Sequence, residues 1–353
     1  MVLLEVKLMA AETNYEIRLA NRDDIPMIME YIDQDWRRGH IMSVDRGLFE
    51  YELLNSDGTV NMVIAVNHDN NRIDGCLGFL KSARKSDVFD TWGTIWKVRE
   101  DSGNLLGLKI INQVKKISGG RFYLGIGINP NTAVKIHKML LRDNVAKMKH
   151  YYCLAERSQY KIAVVKHKDL YEDAHIDCDN FEVELLDLDS FIEAFDDLKK
   201  YEDDIPYKNK EYFIYRYFQH PIYSYQIYGI YEKGVLTAFF VLREDSYLDR
   251  IAIRMIDYHG KEENMRAVRS IFPQLFADES VEYIDFYEYG FLDQNIEQAG
   301  FNLLDDNDSN IIPNYFAPFV QENIDIWIAS PIDGARFVKG DGDQDRPNEV
   351  KRA

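Results

Sequence analysis

The residues with the clearest chemical potential run from Trp92 to Ile111. Trp92, Thr94, Trp96 and Val98 alternate as on one face of a β-strand. A short turn carries Gly103 and Gly107, four residues apart, and Leu105, Leu108, Ile111 and Val114 then recur at helical spacing. Strand, glycine turn and helix start present free backbone N–H groups, and the helix dipole favours an anion there. The same two glycines also suit a plain chain reversal. Other residue types add possibilities. Trp36, Arg38 and His40 cluster in one stretch, where an indole could stack on a ring and a guanidinium could grip a phosphate bidentately. Arg216 and Tyr217 repeat that combination. Near the C-terminus Asp341, Asp343 and Asp345 have the spacing that opens an EF-hand loop. However, Arg346 stands where glycine is needed and Arg352 where glutamate is needed, so calcium is excluded. Asp343 and Asp345 then suit an ammonium group, or belong to a solvated acidic tail.

Other chemistries lack their motifs. There is no Walker A sequence and no nucleophile elbow, and no His, Cys or Glu cluster has metal-ligand spacing. Cys76, Cys153 and Cys178 are scattered, which predicts reduced thiols in a cytoplasmic protein. The formal net charge of −18 disfavours a nucleic-acid partner. No apolar run approaches the roughly 20 residues of a membrane span, and no secretory leader is recognisable.

The elements that must position these residues follow from periodicity. Strands are expected at Tyr15–Leu19, Val60–Val66, Cys76–Leu80, Trp92–Val98, Arg121–Ile128 and Met148–Leu154. Helices are expected at Ile25–Trp36, Arg46–Leu54, Leu105–Ile117 and from about Asn131 to Leu141. A similar order recurs from Phe181 to Ala329. Leu48–Tyr51 aligns with Tyr212–Tyr215, and Ile64–Val66 with Tyr228–Ile230, at one offset. The expected organisation is a first domain over 1–155, a connector over 156–180, a second domain over 181–335 and an acidic tail over 336–353. The fold class is α/β, an α+β arrangement with mixed sheets.

The first copy resembles the GCN5-related N-acetyltransferase (GNAT) family. Ser102-Gly103-Asn104-Leu105-Leu106-Gly107 stands where that family carries its Arg-Gly-x-Gly-x-Gly/Ala turn. Gly103 and Gly107 match the outer glycines, Ser102 replaces the arginine and Leu105 the middle glycine. The stretch around Ala133 is similar to the family's Asn-x-x-Ala-x-x-Leu-Tyr segment, with the asparagine displaced and His137 in the tyrosine position. The two-copy layout, the Trp36–His40 loop, Pro313–Phe316 and Gly340–Asn348 resemble the tandem nucleotide-aminosugar N-acyltransferases, such as that of the anthrose pathway.

The resemblance implies acetyl-CoA or another acyl-CoA as cofactor, held by Trp96, Lys97, Val98, Ser102, Gly103, Asn104, Leu105, Leu106, Gly107 and Asn131. It implies a nucleotide-sugar acceptor, dTDP-linked as in that pathway, near Trp36, Arg38, His40, Trp92, Arg216, Tyr217, Tyr315, Asp343 and Asp345. His137 would act as acid, and Asp90 as base, the alternatives for the base being Ser86 and Asp87 relaying through water. No metal is implied, and the oligomer would be a monomer or homodimer. In the second copy the matching turn is Asp257–Asn264. Glu262 falls on Leu105 and Asn264 on Gly107, so carboxylates fill the phosphate position and acyl-CoA is expected in the first copy alone. The alternatives are a FemABX-like aminoacyl transferase, disfavoured by the acidity, and a GNAT-derived binding protein without catalysis.

Overall fold

The computed structural model describes residues 15–102, 105–168, 170, 180–196, 198 and 204–349. It divides into two compact units. One comprises the described residues up to Leu80 together with Gly93–Gly120, and the other comprises Lys81–Trp92 and the described residues from Arg121 onward.

The first unit opens with β1 (Tyr15–Asn21) and α1 (Ile25–Tyr31), which widens into a π turn over Ile32–Trp36. Two short helices follow, α2 (Ile41–Val44) and α3 (Arg46–Leu53), capped by His40 and Asp45. Strands β2 (Thr59–Asn67), β3 (Arg72–Lys81) and β4 (Thr91–Val98) then form a meander, and α4 (Leu106–Ile117) succeeds them. The strand order is β1-β2-β3-β4. Strand β2 is buried on both faces, as its unbroken apolar run demands. Ile25, Ile28, Ile32, Phe49, Ile64 and Ile95 lie in one apolar cluster.

The second unit begins, after the first residues of β4, with β5 (Tyr123–Ile126), α5 (Ala133–Ile136) and a π turn over His137–Leu141. Strands β6 (Asn144–Lys147), β7 (Lys149–Leu154) and β8 (Phe181–Leu186) follow. Next come α6 (Leu188–Ala194), α7 (Lys210–Phe213), β9 (Gln226–Glu232), β10 (Val235–Tyr247) and β11 (Arg250–Gly260). A 3₁₀ segment over Glu262–Ile271 leads into α8 (Phe272–Phe276), β12 (Val281–Tyr289), α9 (Asp293–Gln298) and β13 (Asn302–Leu303). The chain closes with β14 (Tyr315–Phe316), β15 (Phe319–Val320), β16 (Trp327–Ser330) and β17 (Phe337–Val338).

Strand exchange departs from the domain boundaries expected at 155 and 335. β7 pairs antiparallel with β12, in the order β13-β7-β12-β11-β10-β9-β8, while the late strand β16 inserts between β5 and β6. Each exchange gives an edge strand a backbone partner. The described part of the expected connector is fastened to β12. Glu282, fully buried, accepts from the N–H groups of Ile162 and Ala163, both at 3.0 Å. The Arg157 guanidinium donates to the carbonyls of Val281, Phe276 and Asp278. Within this stretch Val164 forms an isolated bridge with Ile311.

The segment from Arg336 to Glu349 is not a solvated tail. Phe337, Lys339, Asp341, Asp345 and Arg346 are all buried. Gly342 takes φ +56°, and a Cβ there would lie 2.7 Å from Ile126 Cγ2, so only glycine fits this crossing. Among the described residues no helix is long and apolar enough to cross a membrane.

Removing the Glu282 carboxylate leaves buried N–H groups without acceptors. Glu282→Ala is expected to cost about 2–4 kcal/mol, read as a lowered thermal midpoint. The exposed Glu244→Ala control should stay within about 0.5 kcal/mol of the parent protein.

Candidate active site

In the first unit the β4–α4 connection has two backbone irregularities. Ile95, in mid-strand, takes φ +47°, a left-handed value unusual for a β-branched residue. Its side chain is buried in the apolar cluster and its carbonyl accepts the Cys76 thiol at 3.6 Å. Leu105, the residue before α4, takes φ +71° and is 65% exposed. The first intrahelical bond runs from Lys109 N–H to Leu105 O, so the N–H groups of Leu106, Gly107 and Leu108 have no acceptor within the helix. Among the described residues no side chain caps them.

Gly107 lies in the first turn of α4. A Cβ there would meet Val98 Cγ2 at 3.5 Å and the Trp96 indole at 3.6 Å, both ordinary contacts. The uncapped helix start therefore borders the outer half of β4. Ser102 closes the preceding turn by donating to Arg99 O at 2.6 Å. Lys97 contributes its carbonyl to the Tyr31 hydroxyl at 3.3 Å. Arg99 is fixed by Asp35 at 2.6 Å. Gly103 and Asn104 lie outside the described residues. Twelve residues of helix, uncapped N–H groups and a glycine can together receive a phosphate.

The first unit also holds the Trp36–His40 loop. Trp36 is 38% exposed and its ring centroid lies 4.6 Å from that of His40. His40 is buried, with Nδ1 accepting from Met42 N–H. Arg38 is exposed.

The second unit holds the remaining residues. His137 is 1% exposed and its Nδ1 lies 2.7 Å from Asp143 Oδ2, with the Tyr123 ring parallel to it at 6.2 Å. The helix bearing it starts at Ala133, later than the sequence suggests, because Asn131 N–H turns back onto Asn129 Oδ1 at 2.8 Å. Asn131 itself is exposed. Asp143 was not singled out by the sequence. Its signal is Arg142, whose left-handed φ of +60° turns the chain so that Asp143 faces back onto His137. Such a dyad fixes the imidazole tautomer, as an acid–base histidine requires.

Several other expectations are corrected. Asp90 is fully buried, paired with Arg121 at 2.7 Å and accepting from Tyr207 N–H at 2.8 Å. Both oxygens are engaged, so it fastens the chain rather than taking a proton from a substrate. The Ser86 hydroxyl donates to Val88 O at 2.9 Å and shapes a local turn, and Asp87 is exposed beside it. Trp92 has no exposure and packs on Tyr212, which removes it as a stacking platform. Tyr217 donates to Asp257 at 2.7 Å and Arg216 Nε donates to Gly340 O. Both are buried, drawn inward by the C-terminal segment. Asp345 is paired with Arg243 at 2.8 Å and accepts from Tyr225 at 2.7 Å. These cations and hydrogen bonds hold its carboxyl below the ordinary value against the cost of burial. Asp343 is paired with Arg346. Neither is left for an ammonium ligand. Tyr315 remains half-exposed.

The counterpart of the β4–α4 turn in the second unit is closed. Gly260 takes φ +119°, and a Cβ there would lie 2.5 Å from Thr237 O, so this glycine serves a crossing of strands. Glu262 is turned inward, where it accepts from Leu292 N–H and Asn295 Nδ2 and pairs with Arg336 at 2.8 Å. Asn264 donates to Thr237 Oγ1. A 3₁₀ segment follows instead of an open α-helix start.

No protein-family model matches the chain, and no curated protein matches it in sequence. Solved structures do match. A GCN5-related N-acetyltransferase from Anabaena variabilis superposes with a TM-score of 0.53 at 11% identity, over 90% of this chain and 72% of that one. The fold is that of the GCN5-related N-acetyltransferases. A conserved protein from Enterococcus faecalis shares this GNAT fold, with a TM-score of 0.52 at 7% identity over 90% and 73% of the two chains. So does the GCN5-related glucosamine N-acetyltransferase region of a fungal multi-domain GH3 β-N-acetylglucosaminidase, at 0.51 and 10% identity over 83% of this chain and 37% of that one.

A fastening role for Asp90 in this GNAT fold predicts a stability effect. Asp90→Asn removes the buried charge that pairs with Arg121 and is expected to cost about 2–4 kcal/mol, measured by chemical denaturation. An equally stable but inactive variant would return Asp90 to the role of base.

Proposed function

We propose that the chain is an acyl-CoA-dependent N-acyltransferase whose acceptor is the amine of a nucleotide-linked amino-deoxysugar. The observation that carries the reading is the β4–α4 connection of the first unit. There the left-handed Ile95, the uncapped start of α4 and the open position at Gly107 together suit a cofactor carrying a pyrophosphate. Trp96, Lys97 and Val98 follow the irregular residue, and Leu106, Gly107 and Leu108 supply the N–H groups. The turn carboxylates of Glu100 and Asp101 are exposed, where water screens their charge.

Bound acyl-CoA would supply the acyl group as an activated thioester. The acceptor nitrogen attacks the carbonyl carbon, the C–N bond forms and the C–S bond breaks. The nitrogen releases a proton and the departing sulfur takes one. The acceptor class is supported by the glucosamine N-acetyltransferase region among the similar folds. The dTDP-linked sugar and a surface-polysaccharide pathway belong to this proposal through the resemblance of the sequence.

Gly107→Asp separates cofactor binding from folding. The new Cβ has room, and an acidic residue in the first helical turn favours the dipole. Stability should therefore stay within about 0.5 kcal/mol of the parent protein. The carboxylate repels a phosphate, so affinity for acetyl-CoA should fall at least about tenfold by isothermal titration. Unchanged affinity would place the cofactor elsewhere.

A further inference from the structure

The second unit buries a group of polar atoms that its own structure leaves without partners. Lys339, directly after β17, is 3% exposed, and among the described residues its Nζ has no hydrogen-bond partner. It lies 5.4 Å from the ring centroids of both Tyr287 and Tyr315. Asn314, directly before β14, is 3% exposed, and neither its Oδ1 nor its Nδ2 is bonded. Arg254 on β11 has no exposure. It donates to Asn314 O at 2.8 Å and pairs with Asp285, yet its Nε is unpartnered. His150 on β7 holds Asp285 through Nε2 at 3.0 Å and stacks on Tyr287 at 3.9 Å, with Nδ1 unpartnered.

Unpaired buried polar atoms are costly, and native structures hold few of them. Four residues from separate strands and segments carry them here, joined by the Arg254–Asn314, Arg254–Asp285–His150 and His150–Tyr287–Lys339 contacts. The open positions are mostly donors on basic or amide groups. The neighbouring carboxylates do not meet these atoms, and their contacts go to other atoms. Asp285 is taken by Arg254 and His150, and Asp345 by Arg243 and Tyr225. Tyr315, half-exposed, gives this group a side toward solvent.

We propose that Lys339, Asn314 and Arg254 form a binding site for the anionic oxygens of a carboxylate or phosphoryl group on a small ligand. The site stands on the second unit alone and holds whatever the first unit carries. It takes the place of the phosphate contacts expected of Arg216 and Tyr217, which are engaged internally.

Protonation supports the assignment. Burial, with Arg254 next in weight, pushes the Lys339 amine down to about 7. The groups facing it are Arg254 on β11, Arg243 on β10, Asp285 and Tyr287 on β12, His150 on β7, Tyr315 on β14 and Asp345. His150, Asp285 and Asp345 are shifted down and Tyr287 up, so each shift moves its group away from the pH at which Lys339 changes charge. Without ligand the amine loses its proton as pH rises through about 7. A bound oxyanion holds the ammonium form, so binding takes up a proton above that pH.

The test is titration calorimetry of the full chain with inorganic phosphate, diphosphate and acetate at constant ionic strength. The wild type should bind at least one of them at pH 6.5, and the affinity should fall about tenfold per pH unit above pH 8. The phosphate and acetate arms distinguish a phosphoryl from a carboxylate ligand. Lys339→Met, which keeps the bulk, should lose binding at least tenfold and lose its pH dependence. Asn314→Leu should weaken binding at least tenfold while keeping the pH dependence. Absence of oxyanion binding to the wild type at pH 6.5 would overturn the proposal. So would undiminished binding in either variant.

Discussion

At Ile95 the backbone takes a left-handed φ in the middle of a strand, which costs a β-branched residue about 1–3 kcal/mol. Nothing local favours it. The side chain pins it, because Ile95 packs among Ile25, Phe49 and Ile64, and leaving that core would lose the burial of a whole isoleucine, about 1.5–3 kcal/mol. Core packing and backbone strain are thus of similar size and are set against each other at one residue. Trp96 and Val98 follow directly and border Gly107 at the start of α4. A strained residue held by a core is a common foundation for a binding element, since the surrounding fold fixes a geometry that the local sequence would not choose.

The second unit treats the same kind of turn differently. Glu262 and Asn264 face inward and satisfy N–H, amide and guanidinium groups. Its other charges are drawn into the interior as well. Lys208 sits between Asp257 and Asp341, and Arg243 between Asp245 and Asp345. Buried ion pairs of this kind contribute little net stability, but losing one partner is costly. They hold the C-terminal segment in one place. Lys339 departs from this pattern, since its neighbours' carboxylates are already engaged.

The sequence made the elements legible where periodicity is strong. The largely apolar, β-branched run Val60–Val66 and the helical spacing of Leu108, Ile111 and Val114 correspond to β2 and α4. Non-local pairing was not legible. The exchange of β7 and β16 depends on which edge finds a partner, and neither strand carries a mark of its destination. The same limit affected the site residues. Asp90 reads as a poised carboxylate until Arg121, 31 residues away, is seen across from it. Asp345 reads as solvated charge, because its partner Arg243 lies 102 residues away. The two-glycine turn could be located, yet the left-handed Ile95 has no sequence signal, since a β-branched residue is rarely found there.

Hydrogen exchange of the intact protein with and without acetyl-CoA tests the central claim most directly. The account predicts slowed exchange in Trp96–Val98 and Leu106–Leu108, with the closed turn at Asp257–Asn264 unaffected. Protection of Asp257–Asn264, or no protection in α4 at saturating acetyl-CoA, would contradict it.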